Sequence, residues 1–279
     1  MTSTTPTTAP TADLAGWTQK SFTAAGITHD CFEKAPVGGG PGVVLIPEIP
    51  GMAPEVMGMA QHLVDNGFSV VIPSLFGQPG RAVSAAYMAS TIPKLCISKE
   101  FRAFATNAQR PVTAYLRALA SDLNARTPGA GVGVVGMCFS GGFSLATAVD
   151  DAVVAAVASQ PSVPFPLGAA RKRDPGMSPE EFDALARRTA SGEVCLLGLR
   201  FSEDKAAPAE RFVTLKARLG DRFEVIELDS SKGNSGGFSS SAHCVITREV
   251  REEPANEAFS ARERVVSFLR ENVTGAARQ

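Results

Sequence analysis

The sequence predicts an α/β fold: a mostly parallel sheet with helices on both faces. Three observations point there. Short β-branched apolar runs recur from about residue 40 onward, and amphipathic stretches with a period near 3.6 separate them. The apolar fraction, 44%, is ample for a buried core.

Taken in order, residues 1–15 are rich in Thr, Pro and Ala and are expected to form a disordered tail, with 16–279 as one domain. They lack the basic and apolar regions of a secretory signal, so none is expected. Residues 16–40 are expected to hold an antiparallel edge hairpin. The parallel strands are expected at 42–47 (GVVLIP), 69–73 (SVVIP), 131–135 (GVGVV), 153–158 (VVAAVA), 194–199 (VCLLGL) and 223–228 (FEVIEL). Helical periodicity fills 55–66, 111–126, 179–190, 208–219 and 258–271. Between 76 and 110 no strand pattern appears, and Pro79, Gly80 and Pro93 interrupt the helical one. Ligands of open α/β sheets bind beyond the carboxyl ends of the strands, so this excursion is a candidate lid or pocket wall.

Charge and composition narrow the function classes. Twenty-seven basic residues nearly balance 28 acidic ones, which leaves no electrostatic footprint for nucleic acid or an anionic membrane. One Trp and two Tyr argue against a stacking platform for single strands. No apolar run reaches the roughly 20 residues that span a bilayer. The five cysteines are odd in number and lack CxxC spacing, so a reduced, cytoplasmic protein with free thiols is expected. The three histidines show neither HxH nor HExxH spacing, and Gly38–Gly40 precedes a strand where a dinucleotide fingerprint follows one. No metal or cofactor is expected.

The sharpest motif is VGVVGMCFSGGFSLATA at 132–148. A buried strand runs into Gly136-Met137-Cys138-Phe139-Ser140-Gly141-Gly142 and an apolar helix follows. This is the small-x-nucleophile-x-small pattern of a nucleophile elbow, whose tight turn needs small neighbours. Cys138 would sit at a helix N-terminus, where the dipole favours a thiolate, with the Phe139 amide aimed at a developing oxyanion. Ser140 is the competing nucleophile, but it lies two residues into the helix and is better placed to cap its first turn. Hydrolases with this elbow run nucleophile, acid, histidine along the chain. His243, beyond the last strand and a Gly/Ser-rich stretch, fits as the base; His29 and His62 do not. Asp204, just after the strand at 194–199, fits as the acid, with Glu203 and Asp229 as alternatives.

These residues resemble the dienelactone hydrolase (carboxymethylenebutenolidase-like) family of the α/β-hydrolase fold over roughly 42–269. The resemblance is carried by VLIPEIPG (44–51), SVVIPSLFG (69–77), GMCFSGG (136–142), DKAAP (204–208) and His243. It implies that Glu48 contacts the resting thiol and helps to deprotonate it when substrate displaces the carboxylate. It also implies that the Ile49 amide is the second oxyanion donor beside Phe139. A carboxylate near a thiol raises the thiol pKa, which would keep it neutral at rest and resistant to oxidation. The implied reaction is acyl transfer through a thioester, suited to activated esters and enol-lactones, because an alkoxide leaves less readily than the thiolate itself. Ser140 stands where well-known members have glycine, and Cys244 follows His243 in place of serine or glycine. In the dienelactone enzymes arginines hold a substrate carboxylate; Arg81, Lys99, Arg102, Arg110 and Arg248 are available here, but none falls in a matching motif. The expected partner is a small ester or lactone, and the expected state a monomer or small homo-oligomer. Two other functions remain open at this level: a cyclase or acyl transferase on the same three residues, and a non-catalytic ligand-binding protein.

Overall fold

The computed structural model describes residues 8–275. Its strands are β1 (Thr18–Ala24), β2 (Ile27–Lys34), β3 (Gly42–Ile46), β4 (Ser69–Pro73), β5 (Val132–Met137), β6 (Val153–Ser159), β7 (Cys195–Phe201) and β8 (Phe223–Leu228). The helices are α1 (Pro54–Asp65), α2 (Ala85–Ile97), α3 (Pro111–Arg126), α4 (Gly141–Thr147), α5 (Ala169–Arg173), α6 (Pro179–Ser191), α7 (Ala209–Leu219) and α8 (Glu257–Val273).

All eight strands form one sheet in the order β1-β2-β4-β3-β5-β6-β7-β8. β1 and β2 make the expected hairpin. Its loop, Ala25-Gly26, has positive φ at both positions (53° and 76°), the form whose twist matches the flanking strands. β2 pairs antiparallel with β4, and every other pairing is parallel. This is the α/β-hydrolase architecture. The chain steps outward from β3 to β4, then returns across β3 to place β5 on its other side. That reversal opens a crevice beyond the carboxyl ends of β3 and β5.

Strands β3 to β6 are buried along their full length, so both faces of the sheet need cover. Alternation along β3 divides the core in two. Val43 and Leu45 pack with α1 and α8, while Val44 and Ile46 pack with α3, α4, α6 and α7. Each such aliphatic side chain contributes about 1.5–3 kcal/mol on burial. Local signals start the covering helices. Pro111 opens α3, and Ser178 and Glu181 form a reciprocal capping box on α6, with N–H···O distances of 3.2 and 3.0 Å. Among the described residues, no helix is long and apolar enough to cross a membrane.

Two segments differ from expectation. Residues 76–110 contain α2, which runs through Pro93. Ser84 caps it through a 3.2 Å bond from the Tyr87 N–H, and buried Tyr87 anchors it by accepting from the Gln78 N–H and donating to the Pro50 carbonyl. Tertiary anchoring thus offsets the hydrogen bond that proline removes. Of the expected tail, residues 1–7 lie outside the described residues, but 8–15 are held against α1. The Ala12 N–H donates to the Pro54 carbonyl at 3.0 Å, Leu14 packs on the α1–α8 core, and a Cβ on Gly58 would meet the Pro10 carbonyl at 2.4 Å.

Candidate active site

The site is assembled from the loops that leave β3, β5, β6, β7 and β8. Register sets the first two side by side, because Ile46 of β3 pairs with Gly136 of β5. The segments beginning at Pro47 and Met137 therefore leave the sheet as neighbours.

Cys138 follows β5 directly and has φ 53°, a conformation that costs a side-chain-bearing residue on the order of 1–3 kcal/mol. Its neighbours have no room to be larger. A Cβ on Gly136 would lie 2.5 Å from the Ser140 carbonyl, and one on Gly141 would lie 2.7 Å from Pro161 Cα. The Cys138 carbonyl accepts from the Ser162 N–H at 2.9 Å, tying the elbow to the loop after β6. A short 3₁₀ turn, Cys138–Ser140, leads into α4. Ser140 is fully enclosed. Its hydroxyl accepts from the Met137 N–H at 3.1 Å and faces the Ile46 and Pro47 carbonyls at 2.9 and 3.0 Å. It is thus a strut between the elbow and the end of β3, a tertiary role beyond the expected local cap.

Asp204 is 6% exposed in the loop after β7. One oxygen accepts from the Ala206 and Ala207 N–H groups at 2.9 and 3.3 Å, and the other accepts from His243 Nδ1 at 2.6 Å. The alternative acids point elsewhere: Glu203 and Asp229 are exposed, and Asp229 accepts from the Ser231 N–H at 2.8 Å. The Gly/Ser-rich stretch carrying His243 is folded back on itself by Asn234, whose side chain bonds Ser231 and Phe238. Phe238 packs on Phe201 with ring centroids 4.9 Å apart. Burial alone would lower the His243 pKa. Interaction with Cys138 and with the hydrogen-bonded Asp204 carboxylate outweighs it and pushes the imidazole up to about 11.

Glu48 is 3% exposed in the bend after β3, where its carbonyl accepts from the Gly51 N–H at 2.7 Å. Its carboxylate accepts from Thr247 Oγ1 at 2.7 Å and from Gln160 Nε2 at 3.1 Å. Among the described residues no hydrogen bond joins Glu48 to Cys138; Gln160 and Thr247 engage the two carboxylate oxygens. Ile49 follows Glu48 and is buried; Phe139 follows Cys138 and is fully enclosed. The Phe139 ring packs edge-on against Phe76 and Phe101 at 5.7 and 5.3 Å, which joins the 76–110 segment to the elbow through the core.

The available cations are mostly engaged. Arg110 is fully buried on the Ala105, Ala108 and Gly176 carbonyls, and burial pulls its guanidinium down to about 10. Arg81 lies over the Tyr87 ring at 4.2 Å, and exposed Arg102 donates to the Gln109 carbonyl at 3.0 Å. Arg248 donates to Cys244 Sγ at 2.9 Å. Burial opposes its charge, but Cys244 and Glu48 nearby hold it protonated. Burial and the Glu48 charge raise the Cys244 thiol well above its ordinary range. Gln160, Ser162 and Thr247 were not legible as site residues. Their one local signal is that polar residues follow a wholly apolar strand or accompany the histidine loop.

The profile of the dienelactone hydrolase family matches residues 31–272. No curated protein matches the chain in sequence. Among solved structures, a candidate dienelactone hydrolase from Klebsiella pneumoniae superimposes with a TM-score of 0.61 at 17% identity, covering 91% of this chain and 98% of its own. A dienelactone hydrolase from Anabaena variabilis gives 0.58 at 11% identity, with 92% and 99% covered. Est1E from Butyrivibrio proteoclasticus gives 0.51 at 13% identity, with 91% and 98% covered. At these identities the structural likeness is one of fold; the family profile, spanning most of the length, goes further, and the chain belongs to the dienelactone hydrolase family of ester and lactone hydrolases.

Proposed function

We propose that this protein is a cysteine-dependent hydrolase that opens activated esters or enol-lactones through a thioester acyl-enzyme. The observation that carries it is the 2.6 Å His243–Asp204 bond beside Cys138, which stands at positive φ on the elbow. The Cys138 thiolate attacks the substrate carbonyl, and the oxyanion rests on the backbone amides of Phe139 and Ile49. As the C–O bond breaks, the leaving oxygen takes a proton from His243 Nε2. Water then attacks the thioester, giving a proton to His243, and the C–S bond breaks to release the acid and restore the thiolate. Asp204 holds the ring and stabilises its charged form. An activated aryl or enol oxygen leaves far more readily than an alkoxide, so it competes with expulsion of the thiolate, which is why activated substrates suit this nucleophile. The five cysteines are unpaired, which supports a reducing, cytoplasmic setting.

The test is intact-protein mass spectrometry after brief exposure to an activated aryl ester or an enol-lactone, followed by peptide mapping. A transient acyl adduct on the Cys138 peptide, lost in Cys138→Ala, is the expected result. Undiminished turnover in Cys138→Ala would overturn the assignment.

A further inference from the structure

Strand β6 lies between β5 and β7 in the sheet. Cys138 follows β5 and Asp204 follows β7, so the loop leaving β6 runs between nucleophile and acid. From the end of β6 to the start of α6 the only helix or strand is the five-residue α5, and the buried carbonyls of this stretch need partners from elsewhere. Arg211, in the first turn of α7, supplies them and is itself fully enclosed. Its Nε donates to the Asp174 carbonyl at 2.7 Å and its Nη1 to the Pro161 carbonyl at 2.5 Å. Its Nη2 donates to the Pro164 and Arg171 carbonyls at 2.6 and 3.0 Å. Pro161 and Pro164 stand on either side of Ser162, whose N–H donates to the Cys138 carbonyl at 2.9 Å. Pro161 also abuts the elbow, since a Cβ on Gly141 would lie 2.7 Å from its Cα. At the other end, the Arg211 N–H donates to the Pro208 carbonyl at 3.1 Å, and Pro208 directly follows the Ala206 and Ala207 amides that hold Asp204. One side chain thus reaches from the acid loop to the elbow.

We propose that Arg211 is a positioning residue: by holding the Pro161 and Pro164 carbonyls against the first turn of α7, it sets the spacing between the Cys138 elbow and the Asp204 loop, and through it the alignment of His243 with Cys138. This rests on the reading of Cys138, His243 and Asp204 as the reacting set; among the described residues no hydrogen bond joins Arg211 to any of their side chains. Stability alone is a poor reason for such a group. A cation loses its hydration on enclosure, and a well-packed apolar side chain of similar volume often serves a core as well or better. What an apolar side chain lacks is a rigid fork of N–H donors that fixes the direction and spacing of several carbonyls at once. Arg110 is equally enclosed, but its acceptors, the Ala105, Ala108 and Gly176 carbonyls, flank neither Ser162 nor Asp204. It is the natural control.

The experiment compares Arg211→Lys and Arg211→Met, which keep bulk but lose the fork, with Arg110→Lys, by steady-state hydrolysis of p-nitrophenyl acetate in the full chain. In both Arg211 variants kcat is expected to fall about 10²-fold with KM within about threefold, the loss that a displacement of about 1 Å produces. Arg110→Lys should lower the Tm yet keep kcat within about threefold of wild type. A double-mutant cycle with Asp204→Asn supplies the second readout. Where the acid is already disabled, replacing Arg211 should cost only about twofold more, because both changes act through the same alignment. A thermal melt identifies an Arg211 variant that fails to fold, and the other then decides. A folded Arg211 variant with wild-type kcat, an equal kcat loss in Arg110→Lys, or the same loss with and without Asp204→Asn would overturn the proposal. Turnover of Cys138→Ala, measured in parallel, reports separately on the nucleophile assignment.

Discussion

His243 Nδ1 donates to Asp204 Oδ2 across 2.6 Å, and this bond leaves Nε2 as the nitrogen available to Cys138. Asp204 can fix that tautomer because two backbone amides hold its other oxygen. Asp204→Asn keeps the size but offers an amide that favours the opposite tautomer. Its kcat is expected to fall roughly 10³- to 10⁴-fold with little change in KM. Steady-state kinetics check this; a loss below tenfold would remove Asp204 from the mechanism.

The same histidine links stability to pH. Its folded pKa, about 11, lies above the unfolded value near 6.5, so the folded state holds the proton more tightly. The resulting stabilisation is fully present below about pH 6.5 and is lost as pH rises through about 11. The Tm advantage of wild type over His243→Gln should therefore shrink steadily from pH 7 to pH 11. A constant difference across that range would show that the ring is not held as the cation. In Cys138→Ser the chief neighbour that raises it is gone, and NMR titration should find the imidazole pKa clearly lower.

The elbow glycines are predicted to differ sharply from one another. Gly136→Ala and Gly141→Ala drive a Cβ to 2.5 and 2.7 Å from backbone atoms, so each should destabilise by about 1–3 kcal/mol and displace Cys138. Gly142→Ala meets nothing closer than 3.5 Å and lies in α4, where alanine gains about 1 kcal/mol in helix propensity. Denaturant melts of the three variants decide; equal losses would mean that crowding at the elbow is not what selects glycine there.

Ser140 and Cys138 should respond oppositely to truncation. Ser140→Ala strips a partner from the buried Met137 N–H, at a cost of about 1–3 kcal/mol, while turnover stays within about tenfold of wild type. Cys138→Ala keeps the Cβ and with it the positive-φ strain, so it should change the Tm little, yet abolish turnover. A Ser140→Ala variant as inactive as Cys138→Ala would transfer the nucleophile role to the serine.

Most of the sheet was readable along the chain. The six apolar runs became β3 to β8, and the elbow motif announced the turn at Cys138, because alternation, helical period and small-residue spacing are local properties. Where the reading fell short, distant contacts intervened. Tyr87 bonds to Gln78 and Pro50 carry α2 past Pro93, and α1 holds residues 8–15 that composition marked as a tail. Position after a strand favours Asp204 over Glu203 and Asp229 as the acid, but only the folded loops turn its carboxylate toward His243.

The kinds of residue needed for chemistry, and their order in the chain, were therefore written in the linear pattern. Their mutual orientation was not. Glu48 meets Gln160 and Thr247 across 112 and 199 residues, and no local pattern records which oxygen faces which partner. Periodicity and turn chemistry act within a few residues. Hydrogen-bond pairing between loops depends on strand order and register, which exist only once the sheet has closed around its two cores.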